Sequence, residues 1–162
     1  MLSQKMQDII NEQIHRELYS AYLYQAMSAH FEFESWGGFA HWMHHQAEEE
    51  QEHAERFYKY MLDRGARVIL KGIEQPPVEF GSALEIFQAA YEHEQYITAS
   101  INAIYELAVA EKDYPTQEML QWFIKEQVEE EKHASENVAM LERIGDRIHA
   151  LMALDRQLAE RS

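Results

Sequence analysis

Apolar residues recur at intervals of three and four along almost the whole chain, which is the spacing of one buried face of an α-helix. The first two apolar stripes predict long helices over roughly residues 4–33 and 37–64. The sequence SWGG at 35–38 interrupts the pattern between them. Gly65 is typical of the residue that follows a helix C-terminus. This part of the chain therefore predicts a pair of long helices joined by a short loop.

The next segment, residues 65–81, is different in kind. Its sequence, GARVILKGIEQPPVEFG, combines a short apolar run with paired prolines and three glycines, and predicts an extended connection. Ser82 can cap a third helix. Pro115 ends that helix or the loop after it, and a fourth apolar stripe continues up to Gly145. Residues 146–162 predict a short amphipathic fifth helix.

Two long helices, a long crossover and two more long helices describe an all-α four-helix bundle. A chain of 162 residues that is 46% hydrophobic can form one well-packed domain but hardly two. We therefore expect a single domain over residues 1–162, with the bundle in 1–145 and the short C-terminal helix in 146–162.

Composition narrows the classes of function. The chain has no cysteine, which excludes disulfides, thiolate metal sites and cysteine nucleophiles. The N-terminus lacks the features of a signal peptide and no apolar run is long enough to span a bilayer, so we expect a cytoplasmic protein without membrane contact. The formal net charge of −15 repels nucleic acid and attracts cations. Many acidic surfaces serve solubility alone, so charge by itself does not specify a function.

Each of the four long helices places one glutamate at the centre of its apolar stripe, near mid-length. These residues are Glu17, Glu50, Glu94 and Glu130. A buried carboxylate costs several kcal/mol, whereas a whole domain is stable by only about 5–15 kcal/mol. No Lys or Arg shares the stripes at the same level, but two divalent cations would neutralise four carboxylates. The pattern therefore predicts a buried site for two metal ions.

The second helix adds an imidazole to this set. His53 follows Glu50 in a Glu-x-x-His spacing, which places both side chains on adjacent turns. Single glutamates from two helices, together with such motifs from the other two, form the di-iron carboxylate sites of helical bundles. Ligation by many oxygens and one or two imidazoles suits iron or manganese.

The fourth helix offers two registers for the matching motif. The step along the chain from Glu17 to Glu50, repeated from Glu94, leads to Gln127. That register gives Gln127-x-x-Glu130, a degenerate copy of the first motif. The other register is Glu130-x-x-His133, which keeps the chemistry of the first motif. Glu130 is a ligand in both, and helical periodicity alone does not decide between them.

Further acidic residues lie on the flanks of the second and fourth stripes. Glu49, Glu126 and Glu129 could form another metal position that shares Glu130, or they could be a solvated charged face. Tyr24 lies close to the first core glutamate on its stripe. It could donate a hydrogen bond to a ligand or an electron to an oxidised centre, or it could be an ordinary core tyrosine.

Taken together, these residues resemble those of the non-haem bacterial ferritins, in the ferritin-like di-iron family, over essentially the whole chain. The resemblance implies two iron sites that share Glu50 as a bridge. The residues of the first are Glu17, Glu50 and His53, and those of the second are Glu50, Glu94 and Glu130, with Gln127 close by.

The same resemblance implies a third iron position at four acidic residues. They are Glu49, Glu126, Glu129 and Glu130. It places Tyr24 beside the centre, favours the register with Gln127, and leaves His133 outside the set of ligands.

By resemblance, the function is iron storage with ferroxidase activity. Two Fe²⁺ ions per subunit, with a third position available, would be oxidised by O₂ or H₂O₂. The resulting Fe³⁺ would be stored as mineral in a hollow shell of 24 identical subunits. Haem is disfavoured, because Glu52 stands where haem-bearing relatives carry the ligating methionine. The alternative from another class is a metal-free structural or partner-binding bundle, in which the acidic residues line an interface and the oligomer is small.

Overall fold

Five helices and no strands make up the regular structure of the chain, which a computed structural model describes over residues 1–162. The helices are α1 Gln4–Phe33, α2 Gly37–Asp63, α3 Ala83–Ala110, α4 Tyr114–Ile144 and α5 Ile148–Leu158. The all-α class, the four long helices and the short fifth helix are confirmed. The crossover between α2 and α3 contains no helix or strand, also as predicted.

Local capping interactions fix where the long helices begin and end. Ser82 and Glu85 form a capping box at the start of α3, with Glu85 N donating to Ser82 Oγ over 3.2 Å and Ser82 N donating to Glu85 Oε2 over 2.7 Å. Asp113 caps α4, and Pro115 lies in its first turn, where no helical hydrogen bond is lost. Gly65 follows α2 with a φ of +68°, a conformation that glycine adopts without strain.

The helices form two hairpins that pack into one bundle. Short loops join α1 to α2 and α3 to α4, so each pair is antiparallel. The crossover lies along α1, because Asn11 Nδ2 donates to the carbonyl of Arg67 over 3.1 Å and Asn11 Oδ1 accepts from Ile69 N over 2.8 Å. The fifth helix packs on the start of α2, where Phe39 N donates to Asp155 Oδ1 over 2.9 Å. No helix in the structure combines the length and the hydropathy that a membrane span requires.

The apolar core is divided into two clusters, one towards each end of the bundle. One cluster contains Phe31, Phe39 and Phe87, and the other contains Phe57 and Phe123, whose rings stack with centroids 4.0 Å apart. Along each long helix, the residues of one cluster come before the core glutamate and those of the other come after it. The glutamates therefore form a polar layer between two apolar clusters.

The contact between α2 and α5 yields a prediction about stability. A Cβ added to Gly38 would lie 1.6 Å from the carbonyl oxygen of Asp155, whereas one added to Gly37 would meet nothing within 4 Å. We expect Gly38→Ala to displace α5 and to lower the free energy of unfolding by about 1–3 kcal/mol. Gly37→Ala is the matched control and should be neutral or slightly stabilising. Chemical denaturation followed by circular dichroism measures both, and equal stabilities of the two variants would contradict the close packing of α5.

Candidate metal centre

The four core glutamates come from four different helices and are almost completely buried. Their exposed fractions are 0% for Glu17, 0% for Glu50, 1% for Glu94 and 5% for Glu130. Because this burial is achieved within one chain, the carboxylates do not line a surface that a partner would have to cover.

A first cluster of potential ligands joins α1 to α2. Atoms of Glu17, Glu50 and His53 that can bind a metal lie within 4.8 Å of one another, and all three residues are buried. His53 Nδ1 is 3.3 Å from Glu50 Oε2. Gln13 Nε2 donates to Glu17 Oε1 over 2.8 Å, and this hydrogen bond holds one oxygen of that carboxylate.

Several polar atoms of this first cluster lack hydrogen-bond partners. They are Glu17 Oε2, both carboxylate oxygens of Glu50, and His53 Nδ1. A buried polar atom without a partner costs about 1–3 kcal/mol, so native proteins rarely leave several of them together. Carboxylate oxygens and an imidazole nitrogen are the donors that iron prefers in helical bundles. The unpartnered atoms therefore fit a metal ion held by Glu17, Glu50 and His53.

The other half of the layer is organised by neutral hydrogen-bond donors. The hydroxyl of Tyr24 donates to Glu94 Oε1, and Gln127 Nε2 donates to Glu94 Oε2 over 3.2 Å. Gln46 Nε2 donates to Glu130 Oε2 over 2.6 Å. These contacts orient both carboxylates without neutralising them, and each carboxylate oxygen keeps a second lone pair for a metal.

Two of the side chains that donate hydrogen bonds to core glutamates were not identified from the sequence. Gln13 and Gln46 are buried and hydrogen-bonded to core glutamates. Each lies four residues before a glutamate at a stripe centre, Glu17 and Glu50 respectively. A polar residue one turn before a buried acid on the same face is therefore the signal that could have found them.

Burial sets the protonation of the layer. Burial, followed by the negative charge of Glu50, raises the pKa of Glu17 well above its usual range. Burial, followed by the charge of Glu94, likewise raises the pKa of Glu50, and burial raises the pKa of Glu94. For Glu130, burial and then the charge of Glu94 raise the pKa to about 8. Carboxyl groups of this kind release protons when a cation binds.

The three acidic residues that flank the core stripes differ in burial and in their contacts. Glu126 is half-buried, and its carboxylate lies within 4.8 Å of potential ligand atoms of His53 and Glu130. Glu49 is half-buried and forms an ion pair with Arg161, whose Nη2 lies 2.7 Å from Glu49 Oε2. Glu129 is exposed and lies outside both clusters.

The structure also separates the two registers of α4. Gln127 is buried, with 2% of its surface exposed, and contacts Glu94. His133 is exposed, away from the polar layer.

Aromatic residues hold the imidazole of the first cluster. The ring of His53 contacts Trp122 and Phe123 edge-on, with centroids 5.4 and 5.9 Å away. The guanidinium of Arg56 covers the Trp122 ring at 3.8 Å from its centroid. Trp122 thus fixes the orientation of a potential metal ligand.

A cleft between α3 and α4 comes close to the polar layer. It has a volume of about 320 Å³ and is lined by Thr98, Ile101, Asn102, Ile124, Gln127, Val128 and Glu131. Gln127 both lines this cleft and donates to the carboxylate of Glu94. A single side chain therefore connects the cleft with the buried carboxylates.

Comparison with known proteins gives consistent matches over the whole chain. The family model described as Ferritin-like domain matches residues 7–144. The bacterial non-heme ferritin of Bacteroides fragilis is 41% identical over 161 residues, which are 99% of this chain and 100% of that protein. The bacterial non-heme ferritin of Staphylococcus aureus is 37% identical over 162 residues, covering 100% of this chain and 98% of that protein.

Solved structures agree with these relatives. An open pore ferritin from the hyperthermophilic archaeon Archaeoglobus fulgidus has 42% sequence identity and a TM-score of 0.99, with 100% of both chains covered. A closed form of that ferritin, engineered by site-directed mutagenesis, has a TM-score of 0.98 and covers 100% of this chain and 99% of that one.

The raised pKa values predict how stability depends on pH without metal. A carboxyl group whose pKa is higher in the folded state than in the unfolded state loses its stabilising effect as pH rises through the folded value. For Glu130 this loss occurs between about pH 4.5 and pH 8. We therefore expect metal-free protein to lose several kcal/mol of stability over this range, and Glu130→Gln to lose less. Denaturation with a metal chelator present measures both, and equal pH slopes would contradict the burial of an ionisable Glu130.

Proposed function

The chain belongs to the ferritin family of iron-storage proteins, and we propose that its buried polar layer is a ferroxidase centre that oxidises Fe²⁺ before storage. One observation carries the proposal. Four helices each contribute a glutamate to one buried layer, and the cluster of Glu17, Glu50 and His53 directs unpartnered donor atoms towards one another within 4.8 Å.

We assign two iron positions to this layer. Glu17, Glu50 and His53 hold the first iron. Glu94 and Glu130 hold the second, with Gln127 beside it, and Glu50 bridges the two. Two Fe²⁺ ions carry a charge of +4 against four carboxylates, so loading the centre replaces bound protons with metal and removes the electrostatic conflict of the empty layer.

Each pair of Fe²⁺ ions supplies two electrons to the oxidant. With O₂ the balanced reaction is 2 Fe²⁺ + O₂ + 2 H⁺ → 2 Fe³⁺ + H₂O₂, and with H₂O₂ it is 2 Fe²⁺ + H₂O₂ + 2 H⁺ → 2 Fe³⁺ + 2 H₂O. The carboxylates hold the two ions at neighbouring positions, which allows both electrons to reach one oxidant molecule. The hydroxyl of Tyr24 donates to Glu94, which supports a role for Tyr24 in orienting that ligand.

A third iron position is proposed at Glu49, Glu126, Glu129 and Glu130. The closeness of Glu126 to Glu130 and His53 supports it. Glu129 is exposed, so we propose it as the ligand on the solvent side of this position.

We further propose that 24 copies of the chain assemble into a hollow shell in the cytoplasm. The full-length match to solved ferritins with a TM-score of 0.99 supports a ferritin assembly. The net charge of −15 would attract ferrous ions towards such a shell. A metal-free bundle whose acids line an interface is disfavoured, because the core glutamates are already buried in one subunit.

The ligand assignment is tested by removing donors of the first iron. We expect Glu17→Gln and His53→Ala to slow the oxidation of Fe²⁺ at least about tenfold, because each removes one of three protein ligands. Stopped-flow absorbance of Fe³⁺ after anaerobic loading and exposure to O₂ measures the rate. Glu52→Gln, an exposed acid next to His53, is the matched control and should keep the native rate. Native rates in both ligand variants would refute the assignment.

An effect of Tyr24 on the rate of oxidation can be measured separately from an effect on metal binding. Tyr24→Phe removes the hydroxyl that donates to Glu94 and leaves the ring in the core. We expect unchanged stoichiometry of anaerobic Fe²⁺ binding and oxidation slower by about tenfold, since the hydroxyl acts behind a ligand. Tyr22→Phe, at a position 48% exposed, is the control. If Tyr24→Phe oxidised iron at the native rate, Tyr24 would be a core residue only.

A further inference from the structure

The carboxylate of Glu49 lies beside the polar layer without belonging to it. Glu49 directly precedes the core residue Glu50 on α2 and is half-buried. After burial and the charge of Glu94, its negative charge also helps to raise the pKa of both Glu50 and Glu130. Its side chain is 35% exposed, so solvent also reaches it.

Arg161, near the C-terminus, occupies this carboxylate. Its Nη2 donates to Glu49 Oε2 over 2.7 Å, and its Nη1 donates to the carbonyl of Trp42 over 3.1 Å. The guanidinium also covers the Trp42 ring, 4.6 Å from its centroid. The side chain is only 18% exposed, although the residue lies beyond the end of α5.

The C-terminal tail, residues 159–162, has further contacts that do not involve Glu49. His41 Nε2 lies 2.6 Å from the carbonyl oxygen of Arg161, in addition to the two contacts with Trp42. These contacts anchor the tail on α2. The ion pair is therefore not the only attachment of Arg161, and it can open while the tail stays docked.

We propose that Arg161 is a positioning residue that regulates the third metal position by holding Glu49 in an ion pair. The inference rests on the proposed function, which makes Glu49 a metal ligand. The guanidinium holds Oε2 of Glu49 by a hydrogen bond, and its positive charge opposes any cation that binds the same carboxylate. This opposition weakens binding at the third position and favours onward movement of the ion.

The strength of the pair sets the size of this effect. Fully exposed ion pairs contribute little, whereas charge-assisted hydrogen bonds shielded from water contribute more. The pair of Glu49 and Arg161 lies between these limits, with side chains 35% and 18% exposed. We expect the guanidinium to weaken metal binding at the third position by about three- to tenfold.

The test is anaerobic calorimetric titration of the assembled, metal-free protein with Zn²⁺, a redox-inert divalent cation. We expect Arg161→Gln to tighten the weakest class of Zn²⁺ sites about three- to tenfold, or to make it detectable where the native protein shows none. The tight sites at Glu50 and His53 should not change. Arg156→Gln is the matched control, because Arg156 is exposed on α5 and its substitution removes the same positive charge.

Two further variants separate an effect on Glu49 from a loosened tail. Arg161→Lys keeps a positive charge beside Glu49. Its weakest class of Zn²⁺ sites should therefore have an affinity between those of the native protein and Arg161→Gln. In a Glu49→Gln background, Arg161→Gln should leave Zn²⁺ binding unchanged, because the carboxylate that the guanidinium holds is gone. A change of equal size in that background would assign the effect to the tail and overturn the proposal.

Failure of this inference is distinguishable from failure of the proposed function. If native protein binds Zn²⁺ at its tight sites and Arg161→Gln behaves like Arg156→Gln, Arg161 does not regulate the third position and the ferroxidase centre stands. If native protein binds no Zn²⁺ at tight sites, the centre itself is refuted, and the role of Arg161 with it.

Discussion

The structure depends on how the negative charge of four carboxylates is compensated in a buried layer. Two apolar clusters lie above and below this layer, so the dielectric response around the glutamates is poor and ionised carboxylates repel one another. No lysine or arginine is buried in the layer. Neutral donors, namely Gln13, Gln46, Gln127 and Tyr24, orient the carboxylates but leave their charge in place. Protons compensate the charge when metal is absent, and iron is the partner for which the donor set is suited.

The surrounding bundle gives these ligands a rigid support. Each comes from the middle of a helix of 27 to 31 residues, with an apolar cluster on both sides, so its backbone has little freedom to move. The two halves of the layer are not equivalent. The imidazole of His53 serves the first half, whereas Glu94 and Glu130 in the second are both constrained by hydrogen bonds. Metal ions bound in the two halves would therefore experience different donors.

A few side chains outside the layer contact its potential ligands or the acids beside them. Trp122 sets the orientation of His53, and Gln127 connects Glu94 with a cleft between α3 and α4. Arg161 brings the one guanidinium that pairs with an acid next to the centre. These contacts link the buried chemistry to the surface through a few side chains, each of which can be changed without removing a core glutamate.

Helical periodicity and the helix breaks determine much of this protein by themselves. They define five helices and the extended crossover, and they place a glutamate at the centre of each long stripe, because the facing of a residue on a helix depends only on its position in that helix. The tertiary structure decided what depends on how helices sit against one another. It buried Gln127 and exposed His133, which periodicity could not separate, and it paired Gln46 of α2 with Glu130 of α4. It also brought Arg161 across 112 positions of sequence to Glu49, a contact that only the docking of the C-terminal segment on α2 can create.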